Sequence, residues 1–358
     1  MDRSAWAPLV AVGADRSNDR QRANEFADRS TRHADSPLVS VIVPTHDRPE
    51  RLRRAVRSVF GQTYAPIELF VVDDASARPA RPVVEETVGN VSKREDGLHQ
   101  ATEIVRFDEN RGGAAARNAG IERASGEYVA FLDDDDRWDP AKLERQIDRL
   151  ESASEDVGLC YTRVVQLDDG AVSAISPATA EGELARDLLT INVVGTISSV
   201  VVRRAVVETV GGLDPRFPSW QDWAYYLRVA ESYRFCSVDE PLTVRHNAGG
   251  QLSGDYWTKR DETAPLFRRT FSPMAAQYGG RFERRFDASV EYHLGLAAIR
   301  ADEFAAARRH FARAVRTYPR APVFTCYLGA VSGGRWTYGP LYALGSILPI
   351  RRVKRALQ

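Results

Sequence analysis

Cysteine is scarce: three in 358 residues, Cys160, Cys236 and Cys326, far apart and without a CxxC pair. An odd, scattered set argues against a disulfide framework and a zinc site, and it suits the reducing cytoplasm. Net charge is missing as well. Lysine plus arginine and aspartate plus glutamate each number 49, so bulk electrostatics give no sign of a polyanion binder, and no nucleic-acid partner is expected. No apolar run reaches the length of a membrane span. The patch from Trp6 to Val12 is too short and too poorly flanked for a signal peptide. What the chain does have is length, enough for one large domain and a smaller second one.

Residues 1–36 read as a disordered leader, since the stretch from Ala14 to Ser36 is polar, rich in arginine and aspartate, and lacks a hydrophobic period. Order begins with Leu38 to Pro44, an apolar run that reads as a buried strand. Pro49 opens a helix with Leu52, Ala55, Val56 and Val59 on one face. Ile67 to Val72 is a second strand ending in Asp73-Asp74, Glu103 to Phe107 a third, and Gly112-Gly113 opens the next helix. This alternation predicts an α/β fold, a mostly parallel sheet sandwiched by helices with right-handed crossovers. Strands are expected again at 157–167 and 197–202, a short helix at 182–189, and helices from Arg203 and from Trp220 to about Ser232. Two short strands, near Phe235 and from Leu242 to Arg245, lead to His246-Asn247 and a glycine-rich loop read as a flap.

The chain is organised around Tyr128 to Pro140. Tyr128 to Leu132 is an apolar run suited to a strand covered on both faces. Asp133 to Asp136 follow, and Asp139 with Pro140 predicts a helix start. Four carboxylates together are costly unless a cation neutralises them or some stay protonated. Oxygen-only ligands favour Mg²⁺ or Mn²⁺. The polar clusters Thr45 to Arg48, Asp73-Asp74 and Asp133 to Asp136 all end strands, where α/β sheets bind ligands. Gly112-Gly113 at a helix start, with Arg111 and Arg117 nearby, offers a diphosphate cradle.

Residues 263–358 read as a helical C-terminal region. Leu294-Gly295, Ala298, Ala307, Phe311, Ala314 and Pro319 match one tetratricopeptide repeat, and Leu328-Gly329 recurs 34 residues after Leu294-Gly295. The second unit degenerates at Leu341 and Gly345, so the alternative is an ordinary helical hairpin, in either case packed on the preceding domain. Arg351, Arg352, Lys354 and Arg355 follow an apolar tail. The apolar stretch reads as a terminal helix closing the core, with a peripheral contact at the inner face of a membrane as the alternative.

Five motifs in order resemble glycosyltransferase family 2: Val41-Ile42-Val43-Pro44-Thr45, Val71 to Ser76, Asn110-Arg111-Gly112 with Ala116-Arg117-Asn118, Phe131 to Asp136, and Gln221-Asp222-Trp223. The resemblance covers about Pro37 to Gly254 and assigns residues 37–262 to a GT-A domain. It implies inverting, metal-dependent transfer from a nucleotide-diphosphate sugar to a hydroxyl of a glycan or lipid-linked acceptor, with a UDP-sugar favoured and a GDP-sugar the alternative. It implies Thr45, Asp73, Asp74, Arg111, Gly112, Arg117, Asp133 and Asp134 on the donor, with Asp133, Asp135 and His246 on the metal. Asp136 is an additional carboxylate that can replace Asp133. Asp222 matches the family's base, with Trp220 and Trp223 to stack on sugar. A nucleotidyltransferase would instead carry a glycine-rich signature after the first strand, where this chain has Pro44-Thr45-His46-Asp47-Arg48. A non-catalytic scaffold acting through the helical tail is the other alternative.

Overall fold

Strand β1 (Val39–Thr45) sets the two layers. Side chains alternate across a strand. Val39, Val41 and Val43 therefore join one apolar cluster, and Ile42 joins the other. In the computed structural model, residues 36–92, 99–168, 170–247 and 255–334 are described. The chain divides into two units, 1–37 and 38–358, and all elements below belong to the second. The leader expected at 1–36 falls, apart from Ser36, outside the described residues.

Helix α1 (Pro49–Phe60) buries Leu52, Ala55, Val56, Val59 and Phe60 against the sheet, the face its spacing predicts. Each such side chain contributes about 1.5–3 kcal/mol on full burial. Strand β2 (Ile67–Asp73), helix α2 (Arg81–Ser92), strand β3 (His99–Arg106), helix α3 (Gly113–Ile121) and strand β4 (Tyr128–Phe131) continue the alternation. Strands β1, β2, β3 and β4 pair in parallel in the order β3-β2-β1-β4. Helix α3 lies so close to β1 that a Cβ on Gly120 would sit 2.5 Å from Ile42 Cγ2.

Beyond β4 the sheet becomes mixed. Strand β5 (Asp136–Trp138), helix α4 (Lys142–Glu151), strands β6 (Val157–Asp168) and β7 (Ala171–Ser176), and helix α5 (Ala185–Leu188) follow. Then come strand β8 (Val200–Arg203), helices α6 (Arg204–Val210) and α7 (Gln221–Val229), and strand β9 (Arg234–Asn247). Strand β8 runs antiparallel to β4 and β6, while β9 runs parallel to β6 and antiparallel to β5.

Two expectations need correction here. The acidic run does not feed straight into a helix: Asp136 to Trp138 pairs with Thr243 to Arg245, and the helix starts only at Lys142. Asp139 Oδ1 accepts from Ala141 N at 3.0 Å, so it organises a turn before the helix rather than capping it. The two short strands after Ser232 are one, β9. Its register shifts where Asp239 to Leu242 stand opposite Arg163, and this places Pro241, which has no N–H to donate, at a bulge. The loop read as a flap, 248–254, lies outside the described residues.

The helical region begins at Tyr256 rather than Thr263, because Asp255 Oδ1 accepts from Trp257 N and Thr258 N at 3.0 and 3.4 Å. Helix α8 (Tyr256–Thr258) passes through a π-turn, 259–263, into α9 (Ala264–Ala276). Phe267, Phe271, Phe286 and Leu294 share one core with Phe131, Tyr161 and Val200 of the sheet. Helices α10 (Gly280–Arg300) and α11 (Phe304–Thr317) form a hairpin in which a Cβ on Gly295 would meet Phe311 Cε1 at 2.6 Å; α12 (Pro322–Ala330) follows. Leu328-Gly329 lie on α12, while Leu341 and Gly345, where the second unit degenerates, and the basic tail lie within 335–358, outside the described residues. Among the described residues, no helix is long and apolar enough to cross a membrane.

One buried cation belongs to the core. Lys142 is 0 % exposed, with Nζ 4.1 Å from the centroid of the Trp138 ring and no hydrogen-bond partner. Burial pushes its pKa down to about 7.

Candidate functional site

The carboxyl ends of β1, β2 and β4 meet at one edge, with Thr45 in register with Asp73. They open on a cavity of about 350 Å³ whose walls include Thr45, Asp74, Gly112, Arg117, Asp133 and Asp222. Thr45 Oγ1 donates to Asp134 Oδ2 at 2.7 Å, which ties the first strand to the acidic loop. Arg48 Nη1 bridges Asp134 Oδ1 and Asp135 Oδ2 at 3.1 and 3.3 Å. Burial pushes the Asp134 carboxyl up to about 6, against the pull of Thr45 and Arg48.

Asp73 and Asp74 have different tasks. Asp73 is 1 % exposed and does not line the cavity. Its oxygens accept from Ser76 N and Ala80 N, both at 2.9 Å, and from Arg106 Nη1 at 2.5 Å. Burial raises its pKa, but these donors outweigh that and hold it below the usual carboxylate range. Asp74 does reach the cavity wall. Its oxygens take the amides of Arg111 and Gly112 at 2.6 and 2.8 Å. The glycine turn is therefore clamped by a carboxylate, and those two amides serve Asp74 rather than a diphosphate cradle. The Arg111 side chain lies over Phe107, 4.7 Å from its centroid.

Arg117 hydrogen-bonds Asp133 through Nη2 and reaches Gln221 Oε1 at 3.5 Å. Burial works against its charge, but Asp133 prevails and keeps the guanidinium protonated. Carboxylate oxygens of Asp133, Asp135 and Asp136 lie within 4.8 Å of one another. Asp136 is 2 % exposed, and its Oδ1 has no hydrogen-bond partner. Burial and the charges of Asp133 and Asp135 push its pKa well above the ordinary value. An orphaned buried oxygen between two further carboxylates fits a hard divalent cation. His246 stands outside this triad: its Nδ1 lies 3.1 Å from the backbone oxygen of Asp135. Neighbours on a strand face opposite ways, and Arg245, not His246, lines the cavity.

Asp222 lies in the first turn of α7, with Oδ1 accepting from Trp223 N at 2.8 Å. Burial raises its pKa, with Trp223 N–H, Arg245 and Arg117 pulling the other way and Asp133 adding to the rise. The same carboxylate lines a second cavity of about 320 Å³, which shares Thr196, Ser219, Trp220, Asp222 and Arg245 with the first. Trp220 borders both. Trp223 is largely core, 3 % exposed, with Nε1 donating to Leu188 O at 2.6 Å. Among the described residues, Asp47, Ala75, Trp220 and Asp302 are the non-glycine positions with positive φ. Three of the four stand in the loops around the cavities. Such strain costs of order 1–3 kcal/mol each and gathers where a site over-determines the backbone.

The family model for Glycosyl transferase family 2 matches residues 40–211. An uncharacterized glycosyltransferase of Nostoc sp. is 33% identical over 238 residues, which span 63% of this chain and 70% of that protein. The chain belongs to glycosyltransferase family 2. A putative teichuronic acid biosynthesis glycosyltransferase of Bacillus subtilis, TuaG, is 28% identical over 65% of this chain and 88% of its own. The structure of the mannosyltransferase PcManGT from Pyrobaculum calidifontis, solved with GDP-Man and Mn²⁺, superposes with a TM-score of 0.52. It covers 92% of this chain and 95% of that one at 18% identity, which supports the GT-A fold. As a family 2 glycosyltransferase the chain is an enzyme, so the nucleotidyltransferase and scaffold readings fall away. The matched family segment contains the acidic run and ends before Asp222.

Four cavity residues of this glycosyltransferase escape a reading by motif. Arg48 and Arg245 flank motif residues, and the period-two alternation of β9 was the signal available for Arg245. Lys259 and Arg300, in the second cavity, carry no motif at all.

Proposed function

We propose that this glycosyltransferase transfers a sugar, with inversion, from a UDP- or GDP-linked donor to a hydroxyl of a glycan or lipid-linked acceptor. The observation that carries the reading is Asp222, a carboxylate lining two adjoining cavities, one of which holds the acidic triad. The donor occupies the first cavity, with Thr45, Asp74 and Arg117 around its nucleotide, and the acceptor enters the second. Asp222 takes the proton of the acceptor hydroxyl as its oxygen attacks the anomeric carbon. The bond from that carbon to the diphosphate breaks, and the diphosphate leaves with the electron pair. A burial-raised carboxyl pKa suits this proton transfer, which general-base catalysis accelerates by about 10²–10⁴. When bound by Asp133, Asp135 and Asp136, Mn²⁺ or Mg²⁺ supplies positive charge beside the departing diphosphate.

The names of the relatives support a role in building cell-surface polysaccharide, and a nucleotide-sugar donor favours work on the cytoplasmic side, at or near the inner face of the membrane. Calorimetric titration of UDP and GDP, with and without Mn²⁺, tests the donor site. Metal-dependent binding of one nucleotide, lost in Asp135→Ala, is expected. A folded protein that binds neither refutes the assignment.

A further inference from the structure

The second cavity has a charge pattern that sugar transfer alone does not require. Its wall carries Arg245, Lys259 and Arg300, and among the described residues its only carboxylate is Asp222. Lys259, from the π-turn, is 4 % exposed. Burying an ammonium beside other cations is unfavourable. Burial, then the charge of Arg300, push its pKa down to about 8, with Arg245 adding to the repulsion and Asp255 and Asp222 opposing it. Arg300 stands in the last turn of α10, where a cation also suits the helix dipole. That accounts for an arginine at this position, and Lys259 adds a second positive charge to the same wall. The wall also carries an aromatic cluster: Trp220 and Trp223 lie 6.3 and 4.7 Å, centroid to centroid, from His293. Burial pushes His293 down to about 4, so it stays neutral.

We propose that the second cavity receives an acceptor sugar bearing a negative group, a phosphate or a carboxylate, with Lys259 and Arg300 binding the anion and Trp220 flanking the ring. Resting on the transfer reading above, this adds the chemical class of the acceptor. Asp133, Asp134 and Asp135 line the first cavity and not the second, so an anion in the second cavity is kept off the wall that those carboxylates crowd. Lys259 and Arg300 come from the helical region and Asp222 from the sheet domain, so the acceptor site is complete only when the two pack together.

Saturation-transfer NMR on the full chain tests this with four probes: glucose, glucose 1-phosphate, glucuronate and inorganic phosphate. UDP and GDP titrations with Mn²⁺ run alongside. Binding of glucose 1-phosphate or glucuronate at least tenfold tighter than glucose is expected, and which of the two binds separates a phosphate acceptor from a carboxylate one. Arg300→Gln, at an exposed position, and Lys259→Met, of similar volume, should each weaken that binding at least fivefold. Nucleotide affinity in the same variants serves as the folding control, and Arg300→Gln decides if Lys259→Met loses both. Equal binding of glucose, inorganic phosphate binding as well as its sugar ester, displacement by UDP or GDP, or insensitivity to Arg300→Gln overturns the proposal. Failure of the wild-type protein to bind either nucleotide instead strikes the donor reading.

Discussion

Asp222→Asn separates the chemistry of this site from its architecture. The amide keeps the size of the side chain, and its oxygen can still accept from Trp223 N at the 2.8 Å seen for Oδ1. The helix start should survive, with stability changed by no more than about 1 kcal/mol. What disappears is the negative charge beside Arg117, Asp133 and Arg245 and the capacity to take a proton. A general base contributes about 10²–10⁴ in rate, which corresponds to about 3–5 kcal/mol of barrier. The assay is release of nucleoside diphosphate from the donor that binds by calorimetry, measured with and without acceptor. The kcat should fall at least a hundredfold while nucleotide Kd stays within threefold. The pH profile supplies a second check. Burial raises the Asp222 pKa, and a base works only when deprotonated, so the acid limb of wild-type kcat/KM should lie above the ordinary carboxylate range. Retention of more than a tenth of wild-type kcat in Asp222→Asn refutes the base assignment.

Asp74→Ala strips the acceptor from two loop amides, at a cost of about 1–3 kcal/mol. Nucleotide affinity should drop about tenfold or more, with faster hydrogen exchange at Arg111 and Gly112; unchanged exchange at those amides speaks against the clamp. Lys142→Met should stabilise the fold by an amount on the order of several kcal/mol, since a shift from 10.5 to about 7 is an unfavourable burial. The lysine of the folded state loses its proton near pH 7 while the unfolded chain keeps it to about pH 10. Wild-type stability therefore rises with pH in that window, and the gap in Tm to Lys142→Met should narrow; a constant gap from pH 6 to pH 9.5 refutes the assignment. Gly295→Leu forces a side chain into Phe311, where even a Cβ would sit at 2.6 Å. It should cost about 1–3 kcal/mol in calorimetric stability, with nucleotide Kd unchanged. A Tm equal to wild type would show that the hairpin packs elsewhere.

Most of the parallel half of the sheet was legible because β1, β2 and β4 are near-continuous apolar runs separated by turn residues, whereas β3 begins at His99, four residues before the apolar signal at Glu103 to Phe107. The acidic edge was legible too, since carboxylates directly after a buried strand have few structural excuses. The strand β5 was not, because three residues, Asp136 to Trp138, carry no period and their pairing with β9 is set by contacts more than a hundred residues away. Contacts made only in the fold also hid the difference between Asp73 and Asp74. Adjacent in sequence and alike in chemistry, they are told apart only by Arg106 and Ala80 on one side and the glycine turn on the other. Asp136 was named as a spare carboxylate, but its orphaned oxygen is a property of packing. Arg245, beside His246, carried no motif, and only the pleat of the strand sends it to the cavity.

The wall that the two cavities share also governs the order of events. Two distinct chambers of about 350 and 320 Å³ can be occupied at the same time, and neither substrate has to leave before the other arrives. Under the proposed transfer, turnover has donor and acceptor resident together. Initial-rate plots should therefore intersect rather than run parallel, and water entering the empty acceptor chamber is the natural source of wasteful donor hydrolysis.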